Sequence, residues 1–302
     1  MDRDKQELKI AIIGLDTSHA VEYPKRMQDS ACPEERRVPG LRAARCLSFE
    51  TPYTDKADWP VYQEYLRGIG VEVTEDFDYA VADCDGIMIE INDPELHWEY
   101  FQKCADLGKP IFLDKPFAES FASAVRIYNL AKEKGIRLFT SSALRYDAVF
   151  TAGLANCGIE PTSAIVWGPH GRKVKDSLIW YGCHSFEMLE AVMGRDAVGV
   201  SVHSEPNRDI CVVDYKDGRH GIVELNKNTG RYGVLLRDNV HGAALLQPGK
   251  TTMFYTEILK RITAFMRGDD ILPLEDSLVV ISMLDAAQRS LVSGKPEYVF
   301  SI

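Results

Sequence analysis

Hydrophobic patterning divides the chain into two textures. Up to about residue 140, short apolar runs of strand length alternate with stretches of helical spacing. Residues 8–14 (LKIAIIG) form a β-branched run ending on glycine, the expected first strand of a nucleotide-binding fold. Residues 41–49 read as a second strand, 59–70 as a helix, 71–73 as a short strand and 76–82 as a helix. The run GIMIEI at 86–91 is too short for a helix and is bounded by Asp85 and by Asn92-Asp93-Pro94. From 96 to 107 the apolar positions change to helical spacing, with Gly108 at the expected C-cap. Ile111, Phe112 and Leu113 make the next strand, which ends on Asp114-Lys115-Pro116. Two apolar strands joined by a crossover helix predict a parallel sheet. A helix over 120–134 and a strand over 136–139 complete this half.

The second half reads differently. Strand-like runs recur at 163–167, 198–203, 210–215, 221–225, 234–237 and 243–246, joined by turns such as Lys216-Asp217-Gly218. Successive strands without helices between them predict an open, mostly antiparallel or mixed sheet. One helix, 183–193, precedes them, and amphipathic helices over 252–268 and 274–293 close the chain. The fold class expected is therefore α/β: a Rossmann-type doubly wound domain over 1–142 and a second α/β domain over 143–302.

Composition narrows the class. The chain has 302 residues, 45% hydrophobic and 26% charged, with a formal net charge of −10 and no basic cluster. That argues against nucleic acid or an anionic membrane as partner. No apolar run approaches the ~20 residues that span a bilayer, and the charged start MDRDKQEL lacks a signal-peptide core. The 7 cysteines are scattered without a Cys-x-x-Cys pair, so buried reduced thiols in a cytoplasmic protein are expected. No histidine set has metal-ligand spacing, and no metal is assigned.

In parallel sheets ligands bind beyond the carboxyl ends of the strands. Residues 92–97 and 114–117 fall at that edge. So does the loop Gly14-Leu15-Asp16-Thr17-Ser18-His19, where a dinucleotide fingerprint would read Gly-x-Gly-x-x-Gly. Only Gly14 matches. Asp16 and His19 occupy the other two glycine positions, and a carboxylate at 16 would repel a pyrophosphate unless it turns away or contacts a ribose. Thr17 and Ser18 can offer hydroxyls and backbone N–H groups at a helix start. Pro24 suits the first turn of that helix but not its interior, so either the loop is long or the helix is kinked. Glu50, at the end of the second strand, is the candidate for holding ribose hydroxyls.

The sequence strand, Asn92-x-Pro94-x-x-His97, helix, Gly108-Lys109-Pro110, strand, Asp114-Lys115-Pro116 resembles the Gfo/Idh/MocA oxidoreductases, whose usual tripeptide is Glu-Lys-Pro. The closing segment at 272–296 resembles the family's ending. The resemblance implies a dinucleotide domain followed by an open-sheet domain, NAD or NADP as cofactor, a sugar, cyclitol or related polyol as substrate, and homo-oligomerisation through the second sheet. Lys115 would then polarise the reacting oxygen and stabilise a developing alkoxide. His184, matching the family's Gly-x-His helix start, would be the acid/base. Gly14, Thr17, Ser18, Glu50, Asn92 and His97 would line the cofactor, with His97 alternatively a structural residue of its helix.

Arg145 and Tyr181 are candidates for substrate binding, with Tyr146, Trp167, His170 and Arg172 as further polar and aromatic surface. Glu187 would orient His184 or cap its helix. There is one departure beside the glycine loop. Trp180 stands where many family dehydrogenases carry an Asp or Asn, and Asp176 and Ser177 are out of register. Two rivals follow: a keto-sugar lyase or isomerase, and a ligand-binding regulatory protein on the same scaffold.

Overall fold

The computed structural model describes residues 7–171, 178–228 and 230–301; Arg172, Asp176 and Ser177 lie outside them. In chain order the elements are β1 (Leu8–Ile13), α1 (His19–Gln28), β2 (Leu41–Leu47), α2 (Asp58–Gly68), β3 (Glu72–Thr74), α3 (Phe77–Val81), β4 (Gly86–Ile89), α4 (His97–Ala105), β5 (Ile111–Leu113), α5 (Phe121–Lys134) and β6 (Leu138–Phe139). There follow α6 (Ala148–Asn156), β7 (Ser163–Pro169), α7 (Ile179–Met193), β8 (Ala197–Glu205), β9 (Arg208–Tyr215), β10 (His220–Asn226), β11 (Gly233–Arg237), β12 (Ala243–Leu246), α8 (Phe254–Arg267), α9 (Leu274–Ser293) and β13 (Glu297–Tyr298).

The chain forms two compact units, each drawn from more than one stretch. The first takes the chain up to Ala118, Val125–Thr140 and Tyr255–Leu272; the second takes Glu119–Ala124, Ser141–Phe254 and the chain from Pro273. A single boundary at 142/143 was the sequence expectation. The main change-over falls beside it, but α8 returns to the first unit.

In the first unit six strands run in the order β3-β2-β1-β4-β5-β6, and every pairing is parallel. The order reverses between β1 and β4, which places their carboxyl ends, and that of β5, at the topological switch point. The central β4 and β5 are apolar and wholly buried because both faces of the sheet are covered there. Helix α8 packs on this sheet. Met266 Sδ lies only 2.6 Å from where a Cβ on Gly86 would stand, so the helix can approach β4 this closely because residue 86 has no side chain. Phe265 meets the Phe139 ring at 5.5 Å, and the Arg26 side chain of α1 donates to Thr256 Oγ1 at 3.2 Å.

The second unit has a seven-stranded sheet, β12-β11-β7-β10-β9-β8-β13, antiparallel except where β7 pairs with β10. Buried positions alternate with half-buried ones along β7 and β9, the signature of a sheet covered on one face. The covering layer is α7 and α9, both with long runs of buried residues. Helix α6 was not expected. Its sequence AVFTAGLAN has no polar stripe to mark a helical period; it is started by Asp147, whose carboxylate accepts from Phe150 N at 2.8 Å. None of the seven cysteines is in a disulfide, and all but Cys157 are buried.

Candidate active site

In the first unit the loop after β1 is built around Gly14. Its φ is +99°, and a Cβ there would stand 2.9 Å from Ile91 Cγ1 and 3.1 Å from the Glu90 carbonyl oxygen. Both the backbone conformation and the close passage of the β4 tail demand glycine. Asp16 is buried and turned inward. Its Oδ2 accepts from Thr51 Oγ1 at 2.6 Å and its Oδ1 from Asn92 N at 2.9 Å, lacing together the segments that follow β1, β2 and β4. Burial pushes its pKa up against those two donors, which pull it down. The carboxylate in the second glycine position thus serves the loop itself.

Helix α1 begins at His19, so the loop is not lengthened, and the helix continues through Pro24. Thr17 Oγ1 accepts from His19 N at 3.2 Å, while the exposed Ser18 has its hydroxyl 3.5 Å from Tyr255 Oη. Glu50 is exposed just beyond β2, and Asn92 is half-buried. His97 is wholly buried with Nε2 2.8 Å from the Ile91 carbonyl and Nδ1 3.3 Å from the Phe117 carbonyl. Its ring braces the tails of β4 and β5 against each other, the structural alternative for this residue.

The carboxyl ends of β1, β4 and β5 also bring His19, Glu90 and Asp114 together. One ligating atom from each lies within 4.8 Å of the other two. His19 Nδ1 is 2.7 Å from Asp114 Oδ2. Burial would raise the pKa of Asp114, but His19 and the neighbouring Lys115 outweigh it and hold the carboxyl down at about 2. Glu90 moves the other way, pushed well above the usual carboxylate range by burial and by the Asp114 charge. The two carboxyls are pushed in opposite directions, because two adjacent buried charges of one sign are costly. Sequence reading placed Lys115 and weighed Asp114, named His19 only as a departure from the glycine fingerprint without metal-ligand spacing, and passed over Glu90. The signal for Glu90 was present: a lone carboxylate in the run GIMIEI.

In the second unit His184 lies in α7. Ser142 Oγ is 2.7 Å from His184 Nδ1, and the Tyr181 and Tyr232 rings meet the imidazole edge-on at 6.1 and 5.7 Å. Tyr181 is 43% exposed, which leaves its ring available to a ligand. One turn on, Glu187 is buried and accepts from Ser141 Oγ at 2.6 Å and Ser142 N at 2.8 Å. Burial raises its pKa to about 7, restrained by Arg145 and by those two donors. Glu187 therefore reaches His184 through Ser142 rather than by touching the ring. Arg145 is paired with Glu190 and also donates to the Glu187 carbonyl at 3.4 Å, so its guanidinium is committed to α7.

Comparison with known proteins bears on the family and the fold. Residues 54–142 match the family model described as "Oxidoreductase family, NAD-binding Rossmann fold" (GFO_IDH_MocA); the glycine loop lies outside the matched stretch. Two curated relatives, both uncharacterized oxidoreductases, are 28% identical over 81 residues. One is YhhX of Escherichia coli, the other C26H5.09c of Schizosaccharomyces pombe. The alignment covers 26% of this chain and 24% and 22% of those relatives, so it spans about a quarter of their length. Among solved structures, GenD2 from gentamicin A biosynthesis, in complex with NAD, superposes with a TM-score of 0.78 at 14% identity, covering 99% of this chain and 98% of that one. Myo-inositol dehydrogenase from Lactobacillus casei, in complex with NAD(H) and myo-inositol, gives 0.78 at 14% identity and 98% coverage of each chain. At such identities the likeness is one of fold.

Proposed function

We propose, from the match of residues 54–142 to the Gfo/Idh/MocA oxidoreductase family model, that the chain moves hydride between NAD(P) and a hydroxyl of a sugar- or cyclitol-like substrate. The observation that carries this reading is the inward turn of Asp16, which removes the carboxylate that would otherwise repel a pyrophosphate. What remains at the switch point fits a dinucleotide: Gly14 with its positive φ, Thr17 and Ser18 before α1, the exposed Glu50 for a ribose, and Asn92 beyond β4. Nicotinamide, when bound, supplies the hydride acceptor or donor.

The chain's own residues supply the proton and charge chemistry. Lys115, immediately after the ionised Asp114 at the end of β5, polarises the reacting oxygen and stabilises the alkoxide that develops as hydride leaves. His184, oriented through Nδ1 by the Ser142 hydroxyl, takes the hydroxyl proton and returns it in the reverse direction. Tyr181 offers an aromatic face to a sugar ring. The ligand named for the Lactobacillus casei neighbour, myo-inositol, is the substrate class this set suits.

The test is nicotinamide absorbance with a panel of polyols. Lys115→Ala is expected to lower turnover by about 10²-fold or more with an unchanged circular dichroism spectrum; unchanged turnover would remove Lys115 from the mechanism.

A further inference from the structure

Glu90 is the anomaly of the first unit. It follows β4 directly, it is 0% exposed, and neither of its carboxylate oxygens has a hydrogen-bond partner. Buried carboxylates ordinarily find donors, because an unsatisfied one forfeits its hydration and gains nothing in return. Asp114 repeats the pattern with its Oδ1, also buried and unpartnered. The third member is His19, in place of the last glycine of a dinucleotide fingerprint. Its Nδ1 points at Asp114, and its side chain keeps 14% exposure.

We propose that His19, Glu90 and Asp114 bind one divalent metal ion at the carboxyl edge of the first sheet. The chemistry of the donors selects the ion. One imidazole nitrogen with two carboxylate oxygens is a borderline set, suited to first-row ions such as Mn²⁺ or Zn²⁺ rather than to Mg²⁺ or Ca²⁺, which favour oxygen alone. The spacing allows it: donors bound at about 2.0–2.2 Å lie roughly 3–3.5 Å apart around an ion, within the 4.8 Å that brackets these atoms. The 2.7 Å His19–Asp114 contact must open slightly, and any Glu90 separation nearer the 4.8 Å bound must close. The ion would engage the unpartnered oxygens of Glu90 and of Asp114 and retain open positions on the partly exposed His19 side for water or an oxygen ligand.

The experiment needs no nicotinamide, so it is independent of the dehydrogenase reading. The full chain is stripped with chelator, desalted and titrated separately with MnCl₂ and ZnCl₂, followed by calorimetry and by loss of the free Mn²⁺ electron paramagnetic resonance signal. The expected result is one ion per chain, a raised melting temperature, and affinity at least about tenfold weaker in Glu90→Gln and in His19→Ala. Glu90→Gln keeps the shape of the side chain, and Asp114→Asn serves as a further isosteric variant. The titration of the unmodified protein decides the matter even if a variant fails to fold. Absence of stoichiometric binding of either ion, or equal affinity in the unmodified protein and the Glu90→Gln variant, would overturn the site and leave a shared proton between the carboxyls.

Discussion

Glu187 shows how far one side chain's behaviour is set by its surroundings. Buried in α7, it is held near pKa 7 against a usual 4.5, with burial the leading cause. In the unfolded chain it ionises earlier, so the folded form binds more protons between those values. The stability it contributes is fully present below about pH 4.5 and is lost as pH rises through about 7, a difference on the order of 3 kcal/mol. Urea unfolding at a series of pH values should show this decline, and Glu187→Gln should flatten it; an unaltered profile would sink the assignment. Sequence reading put Glu187 one turn after His184 and offered it as the ring's orienter. It could not see that the link is the Ser142 hydroxyl, brought from 42 positions away. His97 and Asp16 make the same point. Their types and spacings were legible in the sequence, whereas the carbonyls and N–H groups that engage them belong to other strands' tails.

Most strands and helices followed from periodicity, down to the ends of β12 and α9. Spacing alone did not reveal where α8 goes. An amphipathic helix announces that it has an apolar face and says nothing about what covers it. Here Met266, Phe265 and Ile262 join the first unit's core, more than 110 residues after the last strand of that sheet. Ile262→Ala should cost about 2–5 kcal/mol. Hydrogen exchange should then show lost protection in β4 while β9 is unaffected, and loss confined to β9 would place α8 elsewhere. Pro24 was read as a kink or a long loop. The short α1 carries it within the helix because tertiary packing buries that face.

For the molecule as a whole, a ligand that binds only the folded form stabilises it by about 2.7 kcal/mol at a hundred times its Kd. NADH or NADPH at such a concentration should therefore raise the melting temperature. No shift with either would favour the ligand-binding reading, and binding that survives dialysis without any substrate-driven absorbance change would favour a lyase or isomerase. The sequence by itself determined the alternation of apolar strands and helices, the parallel first sheet, the mixed second sheet, and the placing of Lys115 at a carboxyl edge. These depend on local period and chain connectivity, which a linear string carries in full. Only the tertiary structure decided that Asp16 turns inward, that His97 is a brace, and that Glu90 and His19 converge on Asp114. Each of those outcomes depends on which distant groups compete for a buried polar atom, and that competition exists only once the strands lie side by side.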